Sequence, residues 1–410
     1  MVTASSEIGF SSDSRFDFDV VVVGGGGHVG LPLAIAFADR GLRVVIFDVN
    51  ELAVKTILAG ELPFREDGAV EVLRRVLAAG RLEASADPGV VSRGEHVVVV
   101  IGTPVDEHLN PDPHAVPRAL DGCKEFFRSG QLLVLRSTVY PGVTRRVEKL
   151  LGEQGVDVEV AFCPERIAEG KAMEELFTLP QIVSARTPEV RERAGALFHT
   201  LTATVVELSP EEAELAKLFT NTWRYIKFAA ANQFYVMAND QGLDFDRIRN
   251  ALALDYPRAA DLPGAGFAAG PCLFKDTMQL AAFTDNSFVL GHSAMLVNEG
   301  LPLYLVSKLE AKYDLANLRV GILGMAFKGE SDDIRSSLSY KLKRILEFRA
   351  RSVLCTDPYV TVDQNLEPLE HVLANSDLLI IGAPHQQYRC LQPVVPVADV
   401  WNLLGQGTVV

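Results

Sequence analysis

The run Asp19-Val20-Val21-Val22-Val23-Gly24-Gly25-Gly26-Gly27-His28-Val29-Gly30 decides how the first half of the chain folds. Four consecutive valines before the glycines predict a strand that is buried on both faces, as in parallel sheets. Residues 25–30 match the pattern G-x-G-x-x-G, and a helical pattern follows over residues 33–40. The order of strand, glycine loop and helix predicts an α/β fold with a ligand at a helix N-terminus.

A second predicted strand, residues 44–47, ends in Asp48. In dinucleotide-binding folds an acid at this point binds the adenosine ribose hydroxyls and repels a 2′-phosphate, so the pattern predicts NAD rather than NADP. A glycine-rich turn without a ligand is the alternative, which the strand, helix and acid together disfavour. The residues predicted to bind the cofactor in this segment are Gly25, Gly27, His28, Val29, Gly30, Asp48 and Asn50.

Three further predicted strands end in polar residues. Residues 96–101 lead to Thr103, residues 131–135 to Thr138, and residues 158–162 to Glu165. In a doubly wound sheet, ligands bind beyond the carboxyl ends of the strands. These three side chains are therefore candidates for the site, although ordinary turn chemistry could explain each of them.

Composition narrows the class of protein. A chain of 410 residues predicts two or three domains. The net charge of −14 argues against nucleic acid or an anionic membrane as partner, and no apolar run approaches the ~18 residues of a membrane helix. Five widely spaced cysteines without a metal-ligand pattern predict reduced thiols in the cytoplasm and no metal site. Residues 1–17 are polar and predict a loose tail.

A capping box, Ser209-Pro210-Glu211-Glu212, opens a stretch without Gly or Pro to residue 240. It predicts one helix of roughly 45 Å, a length typical of helices that span domains or a subunit interface. We therefore expect a homodimer or higher homo-oligomer. Lys217 and Asn221 share a face of this helix and together can hold an oxyanion; a lysine that only snorkels past apolar neighbours is the alternative.

Residues 262–276 contain three glycines, two prolines and Cys272, followed by Lys275 and Asp276. Such a run predicts backbone folded tightly around a small ligand. If Pro271 begins a helix, Cys272 lies in its first turn, where a thiolate is favoured, and Asp276 lies one turn further on the same face. A buried structural thiol is the alternative reading.

A second strand–helix pattern begins at residue 318 and includes Phe327-Lys328 and Asp332-Asp333-Ile334-Arg335. It predicts a smaller α/β domain without the full glycine fingerprint, suited to a nucleotide-like ligand rather than a second NAD. The predicted organisation is a tail (1–17), a Rossmann-like NAD domain (18–207), a central long-helix region (208–314) and a smaller Rossmann-like domain (315–410).

With these motifs in their order, the chain resembles the UDP-glucose/GDP-mannose dehydrogenase family from Asp19 to its C-terminus. The matching pieces are the glycine loop with Asp48, Gly102-Thr103-Pro104, Ser137-Thr138-Val139, Pro164-Glu165 through Glu169-Gly170, the Lys217/Asn221 pair, Cys272 with Lys275-Asp276, and Phe327-Lys328 through Arg335. The resemblance implies that residues 18–207 bind NAD, that residues 208–314 are a central long-helix dimerisation region, and that residues 315–410 are a Rossmann-like nucleotide-sugar domain. It also implies two successive NAD-dependent oxidations at the sugar C6, through a thiohemiacetal and a thioester on Cys272.

The resemblance also implies roles for individual residues. The catalytic group comprises Cys272, Lys217, Asn221, Asp276, Glu165 and Thr138. Further cofactor contacts are implied for Thr103, Thr138, Glu169, Lys275 and Arg335. Substrate contacts are implied for Glu165, Arg166, Ile167, Ala168, Glu169, Lys217, Asn221, Tyr256, Arg258, Gly264, Gly266, Phe267, Gly270, Phe327 and Lys328.

The loop before Cys272 departs from the family's usual Gly-Phe-Gly-Gly-x-Cys, since it carries Ala268 and Ala269 and one additional residue. Pro164-Glu165-Arg166 resembles the N-acetylhexosamine branch, whereas Glu169-Gly170-Lys171-Ala172 and the residues after Cys272 resemble the glucose branch. We expect UDP- or TDP-glucose as substrate, as in antibiotic sugar pathways, with a UDP-N-acetylhexosamine as the alternative.

Two other functions are compatible with parts of the pattern. A single-oxidation 3-hydroxyacid dehydrogenase also combines an NAD domain with long helices that carry a Lys/Asn pair, but it needs neither Cys272 nor a second α/β domain. An NAD-bound regulatory protein without turnover has no need of intact Cys272, Lys217 and Asp276.

Overall fold

The computed structural model describes residues 15–103, 105–106 and 111–410. Most of the predicted tail (1–17) and Pro104 of the Gly-Thr-Pro motif lie outside these residues. The chain divides into two compact units. The first contains the described residues up to Thr103 together with Asp112–Lys217, and the second contains the described residues between these ranges together with Leu218–Val410.

The first unit is an α/β unit in which helices and strands alternate. Its strands are β1 (Phe18–Val23), β2 (Val44–Phe47), β3 (Leu82–Ser85), β4 (Gly94–Val99), β5 (Leu132–Leu135), β6 (Glu159–Phe162), β7 (Gln181–Ala185) and β8 (Val205–Leu208). Its helices are α1 (Gly30–Asp39), α2 (Glu51–Leu58), α3 (Ala69–Ala78), α4 (Ala115–Asp121), α5 (Val143–Glu153), α6 (Ala172–Thr178) and α7 (Pro188–His199).

These strands form one sheet in the order β3-β2-β1-β4-β5-β6-β7-β8. The pairing is parallel except between β6 and β7, which are antiparallel. The order reverses at β1, with β2 on one side and β4 on the other. This switch point is where doubly wound sheets bind their ligands.

The valines of β1 explain why this strand lies at the centre. Val20 and Val22 belong to the hydrophobic core on one face of the sheet, with α1 and α7. Val21 and Val23 belong to the core on the other face. Because successive side chains alternate between the faces of a strand, an all-apolar run is buried on both sides, as the sequence predicts.

The second unit combines helices with a smaller sheet. Its helices are α8 (Pro210–Asp240), whose first turns belong to the first unit, α9 (Phe245–Ala253), α10 (Leu273–Phe283), α11 (Val289–Lys312), α12 (Leu338–Glu347) and α13 (Leu369–Asn375). Its strands are β9 (Arg319–Leu323), β10 (Ser352–Thr356), β11 (Leu378–Ile381) and β12 (Val397–Ala398). They pair in parallel in the order β10-β9-β11-β12.

One hydrophobic core joins the helices and the sheet of the second unit. It contains Tyr235 of α8, Leu305 of α11 and Ile322 of β9. The central helices and the C-terminal sheet are therefore packed together within one unit.

The long helix α8 begins as the capping box predicts. The Ser209 backbone N–H and hydroxyl donate to Glu212 Oε2 over 2.8 and 2.7 Å, and the Glu212 N–H donates to Ser209 Oγ over 3.4 Å. The helix then runs for 31 residues. The predicted α/β fold class, with two sheets and a long-helix region, is confirmed. Among the described residues, no helix combines the length and hydropathy needed to cross a bilayer.

Candidate active site

In the first unit, Asp48 directly follows β2 and hydrogen-bonds to the glycine loop. Its Oδ2 accepts the Gly26 N–H over 2.8 Å, and its Oδ1 accepts the Asn50 N–H over 2.9 Å. A Cβ at position 26 would lie 2.8 Å from this Oδ2, so glycine keeps the edge of the loop open beside the carboxylate. The Asn50 side chain caps α2 by accepting from Leu52 and Ala53 N–H groups, a structural use that the sequence did not indicate.

The surroundings of Asp48 fit the adenosine end of a dinucleotide. Val49 and Leu52 beside it are 84% and 73% exposed, which is unusual for apolar side chains next to a buried sheet. An adenine ring can cover both of them while Asp48 accepts from the ribose hydroxyls. The residues at this end of the sheet therefore fit NAD.

The ends of β4 and β5 meet as the sequence predicts. The Thr103 hydroxyl donates to the backbone carbonyl of Thr138 over 2.6 Å, and Ser137 Oγ accepts the Ile101 N–H over 2.8 Å. Thr103 and Ser137 are buried. Two of the predicted polar residues thus lie together at the carboxyl edge of the sheet.

Glu165 is held by a buried arginine that the sequence prediction did not single out as functional. Arg136 at the end of β5 has no exposed side-chain area, and it pairs with Glu165 Oε2. It also donates to Gln181 Oε1 and to the Cys163 carbonyl, each over 2.9 Å. Its guanidinium lies 4.6 Å from the centre of the Phe198 ring. Because a buried arginine needs a partner, Glu165 has a structural role as the counter-ion of Arg136.

The second oxygen of Glu165 shapes the loop that follows β6. Oε1 accepts the N–H groups of Arg166 and Ile167 over 2.6 and 3.0 Å. The Arg166 guanidinium donates to the Pro180 carbonyl, and burial lowers its pKa. Both oxygens of Glu165 are therefore engaged within the first unit.

Glu66 fixes the next part of the same loop. This buried carboxylate accepts the N–H groups of Gly170 and Ala172 over 2.8 and 2.7 Å. It thereby caps the start of α6 and places Glu169, which the sequence prediction assigns to cofactor and substrate. The predicted contacts of residues 165–169 stay predictions.

In the second unit, the loop before Cys272 is locked onto its neighbours. The buried Asn232 of α8 donates from Nδ2 to the Gly266 carbonyl over 3.0 Å, and its Oδ1 accepts the Gly266 N–H over 2.9 Å. Its Nδ2 also lies 3.0 Å from Asn298 Oδ1. On the other side, a Cβ at position 266 would lie 2.2 Å from Trp401, and the φ angle of +153° also favours glycine.

Gly270 brings the same loop against the predicted substrate residue Phe327. A Cβ at position 270 would lie 2.6 Å from the Phe327 ring, so only glycine allows this approach. The Gly270 N–H donates to the Ser336 carbonyl over 3.4 Å. Lys328 extends with its Nζ 5.7 Å from the Phe327 ring centre. The predicted Gly270, Phe327 and Lys328 therefore lie in one place.

Cys272 is the N-cap residue of α10, one position before the helix rather than inside its first turn. Its carbonyl accepts the Asp276 N–H over 2.9 Å. Its side chain is exposed, so the alternative of a buried structural thiol is not supported. By contrast, burial raises the pKa of Cys123 to about 11 and the pKa values of Cys163 and Cys355 to about 12. Cys390 is also exposed but lies in a turn.

Asp276 and Asn221 are joined across α8 and α10. Asn221 Nδ2 donates to Asp276 Oδ2 over 2.5 Å, and Lys275 Nζ lies 3.0 Å from Asp276 Oδ1. Asp276 is fully buried, and Asn221 is nearly so. Lys217, one turn before Asn221 on α8, is also buried. The sequence predicted that Lys217 and Asn221 share a helix face, but it did not predict the contact between Asn221 and Asp276. The catalytic roles of these residues stay predictions.

Other predicted residues have partners elsewhere. Arg335 is paired with the buried Asp333 through Nε and Nη2, with distances of 2.9 and 2.6 Å to Asp333 Oδ2. The Arg258 Nε donates to the Tyr256 hydroxyl over 2.8 Å, and both side chains are exposed after α9. Their predicted substrate and cofactor contacts stay predictions.

Models of three family domains match most of the chain. The NAD binding domain of the UDP-glucose/GDP-mannose dehydrogenase family matches residues 19–202. The family's central domain matches residues 211–299, and its UDP binding domain matches residues 321–406. The chain belongs to the UDP-glucose/GDP-mannose dehydrogenase family. Its cofactor is NAD, and its family is that of NAD-dependent nucleotide-sugar dehydrogenases.

Relatives of this dehydrogenase extend over almost its whole length. A UDP-N-acetyl-D-mannosamine dehydrogenase of Yersinia pestis is 28% identical, over 94% of this chain and 100% of that protein. The solved UDP-D-ManNAc dehydrogenase of Pyrococcus horikoshii is 27% identical, with a TM-score of 0.87 over 95% of this chain and 97% of that one. A UDP-glucose dehydrogenase of Pyrobaculum islandicum is 29% identical, with a TM-score of 0.87 over 95% and 96%.

Proposed function

We propose that the protein oxidises the C6 alcohol of a UDP-N-acetylhexosamine, with N-acetylmannosamine as the favoured sugar, to the uronic acid in two NAD-dependent steps. The observation that carries the proposal is Cys272, exposed at the N-terminus of α10 behind a loop that Asn232 and Trp401 hold in place. A nucleophile in this position can retain an aldehyde between two oxidations.

The choice of sugar rests on the relatives and on one motif. The Yersinia pestis and Pyrococcus horikoshii relatives are UDP-N-acetyl-D-mannosamine dehydrogenases by name, and Pro164-Glu165-Arg166 resembles the N-acetylhexosamine branch of the family. They favour the N-acetylhexosamine alternative over the UDP- or TDP-glucose expected from the sequence. UDP-glucose remains the second candidate, because the Pyrobaculum islandicum structure is equally similar and Glu169-Gly170-Lys171-Ala172 resembles the glucose branch.

Cys272 carries the central steps. When bound, NAD supplies the hydride acceptor for each of the two oxidations. Loss of hydride and a proton converts the C6 alcohol into an aldehyde, to which the Cys272 thiolate adds to form a thiohemiacetal. Loss of a second hydride, together with the hydroxyl proton of the thiohemiacetal, gives a thioester, and water then cleaves the C–S bond to release the acid and the free thiol. The helix N-terminus favours the thiolate.

Lys217 and Asn221 stabilise the negative charge that develops on the C6 oxygen. Both side chains are buried, and hydrogen-bond donors in a site shielded from water stabilise an oxyanion more strongly than they do in water. Asp276 fixes the Asn221 amide by accepting from Nδ2, and Lys275 neutralises the other oxygen of Asp276. The family resemblance supports Thr138 and Glu165 as the residues that hold the hydrolytic water, since the hydrogen bonds from Arg136, Arg166 and Ile167 leave Glu165 one of the about four acceptor sites of a carboxylate.

The test is a substrate panel under identical conditions. UDP-N-acetylmannosamine, UDP-N-acetylglucosamine, UDP-glucose and TDP-glucose are each incubated with the protein and NAD, and NADH formation is followed at 340 nm. The proposal predicts the highest kcat/KM for UDP-N-acetylmannosamine. A preference for UDP-glucose would establish the second candidate, and no turnover of any nucleotide sugar would support a non-catalytic NAD-bound protein.

A further inference from the structure

A buried histidine–aspartate pair lies at the carboxyl end of the smaller sheet. Asp357 follows β10, and His385 follows β11. His385 Nε2 lies 3.0 Å from Asp357 Oδ2, and neither side chain has exposed area. The reaction proposed above gives no role to either residue. Burial of a polar side chain costs free energy unless the side chain is fully hydrogen-bonded, so a buried pair of this kind indicates a structural or functional role.

Asp357 occupies the position in the second unit that Asp48 occupies in the first, at the end of the strand that follows the opening strand of the sheet. Its use differs. Besides His385, its carboxylate accepts from Met325 N (2.7 Å), Ala326 N (2.9 Å), Tyr359 N (2.9 Å) and Val360 N (3.1 Å). A carboxylate has about four acceptor sites, so Asp357 has no capacity left for a ribose hydroxyl.

The hydrogen bonds of His385 fix its tautomer. Nδ1 lies 3.0 Å from the backbone nitrogen of Glu330, which can only donate. Nδ1 is therefore the acceptor, and Nε2 carries the hydrogen that is donated to Asp357. The neutral imidazole thus connects the Glu330 backbone to the Asp357 carboxylate.

Together the two residues hold both ends of one short loop. Asp357 binds the backbone of Met325 and Ala326 at its start, and His385 binds Glu330 at its end. Between them lie Phe327, Lys328 and Gly329.

The far end of the loop has an uncommon backbone conformation that needs support. Glu330 has a φ of +57°, which is unfavourable for a residue with a side chain. Its carboxylate accepts the Gln386 N–H over 2.7 Å and the Tyr359 hydroxyl over 2.9 Å. The loop conformation is therefore imposed by surrounding side chains rather than by its own sequence.

We infer that Asp357 and His385 are positioning residues for the nucleotide-sugar substrate, because they hold the loop that carries Phe327 and Lys328. The inference rests on the proposed function and on the substrate contacts that the family resemblance implies for Phe327 and Lys328. At the position where a dinucleotide site has the acid that binds ribose, Asp357 instead binds the backbone of this loop. The groups around C6, Asn221 and Asp276, lie on α8 and α10 and not on this loop.

The test uses His385→Asn and His385→Gln in the full-length protein. Asparagine offers an acceptor near the Nδ1 position but no donor to Asp357, and glutamine offers the donor but not the acceptor. Each variant should raise the KM for the nucleotide sugar by about 10- to 100-fold, because displaced binding groups lose their alignment. The kcat and the KM for NAD should change much less.

Binding of UDP alone, measured by isothermal titration calorimetry, separates the inference from the proposed reaction. The Kd for UDP should rise in both variants by the same factor as the KM. A protein that oxidises none of the sugars but loses UDP affinity in these variants would still support the positioning role. A wild-type protein that does not bind UDP would overturn it.

His96→Asn is the matched control. His96 is a buried histidine of the first unit, and its Nδ1 hydrogen-bonds to the Asp19 carbonyl over 2.9 Å. Loss of thermal stability is expected in this variant, but UDP affinity should stay at the wild-type value. An equal loss of UDP affinity in His96→Asn, or unchanged affinity in the His385 variants, would contradict the inference.

Tyr359→Phe is a milder variant for the case in which the His385 variants do not fold. It removes only the hydroxyl that donates to Glu330 Oε2. Loss of one hydrogen bond predicts a rise of about 2- to 10-fold in the Kd for UDP. An unchanged Kd in a folded Tyr359→Phe protein would count against the inference.

Discussion

The side-chain amide of Asn221 on α8 donates over 2.5 Å to the Oδ2 atom of Asp276 on α10, a residue 55 positions further along the chain. Asp276 is fully buried and has Lys275 Nζ 3.0 Å from its other oxygen. A buried carboxylate with partners on both oxygens keeps its neighbours in fixed orientations. These contacts hold the Asn221 amide in one rotamer, on the same face of α8 as Lys217.

Exchanging the two side chains tests this relationship. Asn221→Ala should lower the free energy of unfolding by about 1–3 kcal/mol, because one acceptor of a buried carboxylate loses its donor. Asn221→Asp should be worse, since it places two carboxylates together in a buried site. The double variant Asn221→Asp/Asp276→Asn restores one amide and one carboxylate.

Thermal unfolding of the wild type, Asn221→Asp, Asp276→Asn and the double variant provides the measurement. The double variant should be more stable than Asn221→Asp alone, which is the signature of direct coupling in a double-mutant cycle. If the effects of the two substitutions simply add, the hydrogen bond has no energetic role.

A second prediction concerns Asn232, which hydrogen-bonds to the loop before Cys272. Asn232→Ala removes both hydrogen bonds to Gly266, so the loop should lose its fixed position and kcat should fall by about 10-fold. The matched control is Asn239→Ala, because Asn239 is a buried asparagine on the same helix that binds the Tyr304 hydroxyl and the Val410 N–H instead. Equal loss of kcat in both variants would show a general effect of helix stability.

The exposed face of α8 predicts a homodimer. It carries large apolar side chains that are between 47% and 57% exposed, namely Phe219, Trp223, Phe234 and Met237. Packing against a second copy of the chain is the simplest way to bury these apolar side chains. Sedimentation velocity should show a dimer at micromolar concentration, and Trp223→Glu should shift it toward monomer. A wild-type monomer under these conditions would refute the prediction.

Asp357 predicts an acid-dependent loss of stability. Burial raises the pKa of Asp357, but hydrogen bonds from His385 and from the backbone of Tyr359 and Ala326 outweigh this effect, so the pKa lies below its ordinary value. A carboxyl whose pKa is lowered on folding stabilises the fold above its unfolded pKa of about 4, and this contribution is lost as the pH falls through the folded pKa.

The measurement is the difference in melting temperature between the wild type and Asp357→Asn at a series of pH values. The difference should be constant between about pH 5 and 8 and should shrink below about pH 4. A difference that is the same at all pH values would show that the charge of Asp357 does not contribute.

Elements with a local signal could be predicted from the sequence. The four valines of β1 and the capping box of Ser209 and Glu212 each specify their structure through neighbours in the chain, and both appear as expected. The Lys217/Asn221 spacing likewise placed two polar side chains on one helix face.

In α11, Pro302 lies inside the helix without ending it, because packing around it overrides the local preference.

The supporting side chains could not be predicted, because their partners are distant in sequence. Arg136 lies 29 residues from Glu165, and Asp357 lies 28 residues from His385. No spacing rule connects such pairs before the fold is known. A charged residue directly after a strand, as at Arg136 and Asp357, was the available signal. It indicated a position at the sheet edge but not the partner.

The NADH yield from a limiting amount of nucleotide sugar tests the central claim most directly, with the product identified by mass spectrometry. The account predicts two NADH per sugar acid and little free aldehyde. Cys272→Ala should still bind NAD and UDP but should form no uronic acid, and Cys272→Ser should form it slowly at best. A yield of one NADH per sugar, or full activity in Cys272→Ala, would contradict the thiohemiacetal mechanism.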